Sequence, residues 1–223
     1  LWVGTEGGGL NRYDKRNGEF THFIHNPQEN SISYDNIQSL LFTSDSSLWI
    51  GMSRGGLDRM NTKTGKFVHY SVGNNILLND HVERIVAEGD SGIWIKYLMA
   101  RNHLTYLPIK GGKPEHLNFT APPFQSSGSI SDIQRGNGDT LWIASSHQLL
   151  IMDVHTREVS FAPYRFSEMD DSSKINILTI FADNVKNMIW IGTNRSGLLM
   201  YDIKNQSLYR KADLSKYNAH LIY

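Results

Sequence analysis

The 223-residue chain contains no cysteine. That excludes disulfides, thiolate metal sites and a cysteine nucleophile, and it leaves the redox compartment unread. An excess of charge of either sign is also missing. Lys plus Arg and Asp plus Glu stand at 22 each, with a pI of about 7.3, so nothing marks a partner such as DNA, RNA or an anionic membrane. No apolar run approaches the roughly 18 residues of a membrane helix; the best, "INILTIFA" at 175–182, has the length of a strand. A sustained 3.6-residue apolar period is absent too, which predicts almost no helix. There is no signal peptide and no initiator Met, and the opening apolar triplet leads to the expectation of a strand separated from its own partner in a longer chain.

What the chain has is a repeat. All five tryptophans share one local context: "LWVG" at Trp2, "LWIG" at Trp49, "IWIK" at Trp94, "LWIA" at Trp142 and "IWIG" at Trp190, spaced by 47, 45, 48 and 48 residues. Short strands repeated at that period are the mark of propeller blades. In the second unit "NIQSLLF", "LWIG", "LDRM" and "KFVHY" are four strands, a to d, joined by hairpin-sized turns. The predicted fold is therefore all-β, a β-propeller of four-stranded antiparallel blades. Repeat units fall near 1–35, 36–80, 81–128, 129–174 and 175–217. Residues 218–223, "NAHLIY", are a closing or next-blade strand a. One domain, 1–223, is expected, with five blades present, either as a closed ring or as a piece of a larger one.

The glycines of "LWVGTEGGGL" at 1–10 raise the possibility of a phosphate-cradling loop. Such a loop leads into a helix, whereas Gly9 leads into "LNRYD", an Asn17-Gly18 turn and another strand. They read as a b–c turn. The mid-strand tryptophans read as core, each bringing roughly 150–250 Å² of surface to packing between blades, rather than as a ring of stacking platforms for sugar.

The stretch "LWIGMSRGGLDRMNTKTGKFVHY" at 48–70 resembles the two-component regulator propeller repeat. The match lies in Leu48-Trp49-Ile50-Gly51 with Gly55-Gly56-Leu57, and in Trp190-Ile191-Gly192-Thr193 with Gly197-Leu198 and Tyr201-Asp202. The connector "HNPQENSISYDNI" at 25–37 is similar to the family's joins. Units three and four depart from the pattern, with "IWIKYLMARNHL" lacking the glycines and "LWIASSHQLL" shortening the turn. The resemblance implies a periplasmic, non-catalytic sensor segment of a Bacteroidetes-type hybrid two-component system. It also implies an oligosaccharide signal, a histidine kinase elsewhere in the polypeptide, control of polysaccharide-utilisation genes and a homodimeric full-length protein. No cofactor and no metal are expected.

Other propeller chemistries fit less well. Asp45 and Asp90 precede their tryptophans by four residues, one short of the Asp-box register of sialidases. A lyase propeller needs a histidine with acidic or metal partners, and the nine histidines share no ligand spacing in sequence. No Trp-Asp dipeptide supports the WD40 type. "EMDD" at 168–171 reads as part of a solvated connector. In a meander the b–c and d–a loops share one side, and that side carries the longest insertions. Sugar recognition wants Arg, Asn and His donors beside an aromatic platform. The candidate ligand residues are accordingly Arg54, Tyr97, Arg101, His103, His147, Asn194 and Arg195. A scaffold without a ligand and a lyase-type enzyme are the alternatives.

Overall fold

A computed structural model describes residues 1–121, 123–124, 128–163, 165–166, 175–194 and 196–210. The predicted strand at 218–223 and the "EMDD" cluster lie outside them. The chain divides into two compact units, Leu1–Asn118 and Phe119–Tyr223.

The first unit holds three blades. Blade 1 has β1 (Trp2–Gly4), β2 (Leu10–Asp14) and β3 (Glu19–Phe23). Blade 2 has β4 (Ile37–Phe42), β5 (Ser47–Met52), β6 (Leu57–Asn61) and β7 (Phe67–Tyr70). Blade 3 has β8 (Val82–Glu88), β9 (Gly92–Tyr97), β10 (His103–Pro108) and β11 (Glu115–Asn118). Each sheet is an antiparallel meander in chain order. The second unit holds blade 4, with β12 (Ile130–Arg135), β13 (Thr140–Ser145), β14 (Leu149–Asp153) and β15 (Val159–Phe161). Its blade 5 has β17 (Ile177–Asp183), β18 (Met188–Thr193), β19 (Leu198–Asp202) and β20 (Ser207–Arg210). These are β-propeller blades, and no helix longer than an isolated turn occurs among the described residues.

Burial explains the strand sequences. β5 and β9 are buried at all six positions, so they read as continuous apolar runs, whereas the outer strand β3 is exposed at four of five. The cores lie between blades. One joins Leu10, Ile32 and Ile37 to Leu48, Ile50 and Met52; another joins Trp49 and Leu57 to Val82, Ile85 and Ile95. In the second unit Trp142, Ala144 and Leu149 pack with Ile177, Ile180 and Tyr201. Trp49, Trp94 and Trp142 are buried, and Trp94 meets Tyr106 at 5.1 Å between ring centres.

Two features were not foreseen. Each strand a carries a β-bulge at its second residue: Gln38, Glu83, Ser131 and Leu178 are skipped in the pairing with strand b. In the connector between blades 4 and 5, β16 (Arg165–Phe166) pairs in parallel with β20. An outer strand offers an open row of backbone groups, and this two-residue segment takes it up.

Candidate functional site

The b–c loops are shaped by the connectors that run past them. Gly9 N donates to Asp35 O at 3.0 Å, and Gly56 N donates to Asp80 O at 2.9 Å. At both glycines φ is positive, 67° and 74°, and a Cβ would stand 2.3 or 2.4 Å from the carbonyl oxygen of Phe23 or Tyr70. Only glycine fits there. This settles the glycines of the opening stretch as a turn packed against strand d.

Five residues beyond each tryptophan stand Gly7, Arg54, Met99, His147 and Arg195. Arg54, Met99 and His147 are exposed, while Arg195 lies outside the described residues. Arg54 has no hydrogen bond or ion pair among the described residues. Arg101 is exposed, and its Nε donates to Leu98 O at 3.2 Å. His147 Nδ1 lies 3.5 Å from Ile175 O. Asn194 is exposed, and its backbone N donates to Asn176 O at 2.9 Å.

Two candidates are placed differently from the loop expected at 96–103. Tyr97 is the last residue of β9 and is fully buried. Its hydroxyl donates to Thr105 Oγ1 at 2.7 Å and accepts from Leu78 N at 3.4 Å. Burial pushes its pKa up to about 12. Tyr97 is therefore a structural residue of the blade, because the strand runs one residue past Lys96. His103 is half-buried as the first residue of β10.

Around Arg54 the structure gathers residues that sequence reasoning passed over. His81, in the connector to blade 3, has its pKa lowered, first by burial and further by Arg54 and Lys96, with Glu83 opposing. Lys96 is 4% exposed and is ion-paired with Glu83. The legible signal was the lysine itself, standing where the other units have Gly4, Gly51, Ala144 and Gly192.

The histidines are also more ordered than they looked. His22, His69 and His116, each 47 residues apart, face Asn11, Asp58 and Thr105 across strands c and d. His69 Nδ1 is 2.7 Å from Asp58 Oδ1, and Ser33 Oγ is 2.8 Å from both. These are the residue types of a hydrolase triad, but serine and aspartate meet the same ring nitrogen. A triad needs them on opposite nitrogens. Asp58 is fully buried, which raises its pKa, and its Oδ2 accepts from Ser33 N at 2.7 Å. The arrangement ties connector to strand. Among the described residues no three metal-ligating side chains converge.

Two open cavities lie on the opposite side, at the a–b and c–d turns. One of about 410 Å³ is lined by Trp2, Arg12 and Asp14 with their neighbours; another of about 310 Å³ is lined by Asp45, Arg59, Asp90 and Lys110 with theirs. Neither contains a candidate residue.

No protein-family model matches the chain. No curated protein sequence matches it either. Solved structures do. The extracellular domain of the hybrid two-component system BT3049 of B. thetaiotaomicron matches 94% of this chain at 19% identity, with a TM-score of 0.74. That of BT4673 of the same organism matches 95% at 19% identity, also with a TM-score of 0.74. The propeller domain of Cps50 (Swd1) from Myceliophteria thermophila matches 91% at 14% identity, with a TM-score of 0.65. The chain spans 26% and 28% of the two bacterial domains and 61% of the fungal one. The likeness establishes the propeller fold.

Proposed function

We propose that this chain is a non-catalytic segment of an extracytoplasmic sensor propeller in a hybrid two-component system of the two-component regulator propeller family. It lies in the periplasm, as one propeller domain over residues 1–223, within a polypeptide that carries a histidine kinase. It detects an oligosaccharide and signals to the transcription of polysaccharide-utilisation genes, in a homodimeric full-length protein. The observation that carries the reading is the match of at least 94% of the chain to two bacterial ectodomains of such systems. The repeat motif at 48–70 and the unsuitable nitrogen geometry at His69 support it. Exposed Arg54 and Met99 on b–c loops supply the donor and apolar surface that sugar recognition needs.

The test is a thermal-shift screen of the ectodomain containing this chain against a panel of plant and host oligosaccharides. A ligand at about 100 times its Kd adds roughly 2.7 kcal/mol to the folded state. A full panel with no shift favours the scaffold reading, in which blades serve contacts between subunits. Turnover of any sugar in the same panel sinks the non-catalytic assignment.

A further inference from the structure

Three segments of the first unit meet on the b–c side of blades 2 and 3: the loop 53–56, the connector 77–81 and the loop 98–102. Hydrogen bonds fix them to one another. Gly56 N donates to Asp80 O at 2.9 Å, Leu98 N donates to His81 O at 3.1 Å, and Leu78 N donates to the Tyr97 hydroxyl at 3.4 Å. Arg54 stands exposed on the first segment. Leu78 and His81 stand on the second, and Met99 on the third. Leu78 is 38% exposed and Met99 65%, so an apolar surface lies beside the cationic one.

Asp80 and Glu83 lie in this stretch of chain, and neither is ion-paired with Arg54. The Asp80 carboxylate accepts from Val72 N at 2.8 Å, and the Glu83 carboxylate pairs with Lys96 beneath. A buried ammonium requires such a partner. Each acid keeps its own partner, and the exposed Arg54 guanidinium keeps its donors for an oxyanion.

We propose that this place binds the anionic residue of an acidic oligosaccharide. A uronate carboxylate or a sulfate ester sits on Arg54 and His81, and the C–H face of the sugar ring lies on Leu78 and Met99. The planar fork of arginine matches either oxyanion with two parallel hydrogen bonds. The apolar pair holds the ring that carries it. The inference rests on the sensor reading above and adds to it a ligand class and a location.

Isothermal titration of the ectodomain containing this chain tests it with three probes: trigalacturonate, a κ-carrageenan tetrasaccharide, which carries sulfate esters and no uronate, and neutral maltotriose. At least one acidic probe is expected to bind ten-fold or more tightly than maltotriose, and the one that binds tells carboxylate from sulfate. Arg54→Ala is expected to weaken that binding ten-fold or more with an unchanged Tm, and Met99→Ser to weaken it less. Acidic binding that ignores both variants overturns the location. Preference for the neutral probe overturns the ligand class and leaves the sensor reading standing. If neither these probes nor a wider panel bind, both fall.

Discussion

Blades 2 and 3 share a frame and differ in nearly every polar detail. Their central strands, β5 and β9, are buried throughout, and each strand a bulges at the same place. In blade 2 close backbone approach does the work. Gly51 sits where a Cβ would lie 2.7 Å from Val82 Cγ1, and Gly56 takes the left-handed turn against Tyr70 O. Blade 3 runs ten residues from Trp94 to Leu104, where blade 2 runs eight from Trp49 to Leu57. The longer path removes the tight turn, and Lys96 with its partner Glu83 replaces the glycine.

The indoles diverge in the same way. Trp94 Nε1 donates to Glu88 Oε2 at 2.7 Å, whereas Trp49 Nε1 is buried without a partner. Thr43 holds the place of Glu88 in blade 2, but its hydroxyl bonds Asp45 and the backbone of Ser47. Arg59 lies over the Trp49 ring at 5.3 Å instead. The frame therefore belongs to backbone pairing and apolar burial, and the polar contacts around it differ from blade to blade.

The largest test removes what the two blades share. Trp94→Ala is expected to cost about 3–5 kcal/mol in denaturant unfolding, from lost contact and the cavity left behind. Trp49→Ala falls in the same range, and a negligible loss at either would show that the tryptophan is not the common anchor.

The turn distinguishes the blades next. Gly56→Ala meets both a forbidden φ and the Tyr70 carbonyl, an expected loss of about 1–3 kcal/mol. His103→Ala, at the corresponding residue just before Leu104 in blade 3, should change the unfolding midpoint far less. Equal losses would contradict the idea that the longer loop relieves the turn.

Glu88→Ala converts the Trp94 indole to the unpaired state of Trp49, at about 1–3 kcal/mol. Stability unchanged by this substitution would mean that the unpaired indole costs nothing.

The smallest effect is a pH slope. Burial raises the Asp58 pKa, with His69 and Ser33 facing it. Its contribution to stability is thus full below the unfolded value of about 3.9 and is lost as pH rises through the folded value. Wild type should gain on Asp58→Asn as pH falls, by no more than about 1.4 kcal/mol per pH unit. Thr105→Asn in blade 3 should show no such slope against wild type. A pH-independent difference for Asp58→Asn would remove the charge from the account.

The blade strands were readable because burial on both faces writes itself as apolar runs around a tryptophan, and the b–c glycines because left-handed backbone selects them. Arg54 and His147 were readable as exposed residues because both fall in the polar stretch between strands b and c. Tyr97 was misread because Lys96 breaks the motif just where the strand continues. The histidine pairs escaped notice because their partners change from Asn11 to Asp58 to Thr105, and only cross-strand register brings them together. β16 meets a strand some forty residues away, a distance at which two residues leave no pattern.

The bulge in each strand a has a consequence for how such a chain changes over time. Gln38, Glu83, Ser131 and Leu178 are an amide, a carboxylate, a hydroxyl and an isobutyl group at one place in four blades, all of them exposed or half-buried. Each follows a buried anchor, Ile37, Val82, Ile130 or Ile177, that stays aliphatic. The side chain skipped by pairing is one that the core does not choose. Selection for a new ligand could rewrite Gln38, Ser131 and Leu178 independently with folding indifferent to the outcome, while Glu83 is held in place by the buried Lys96.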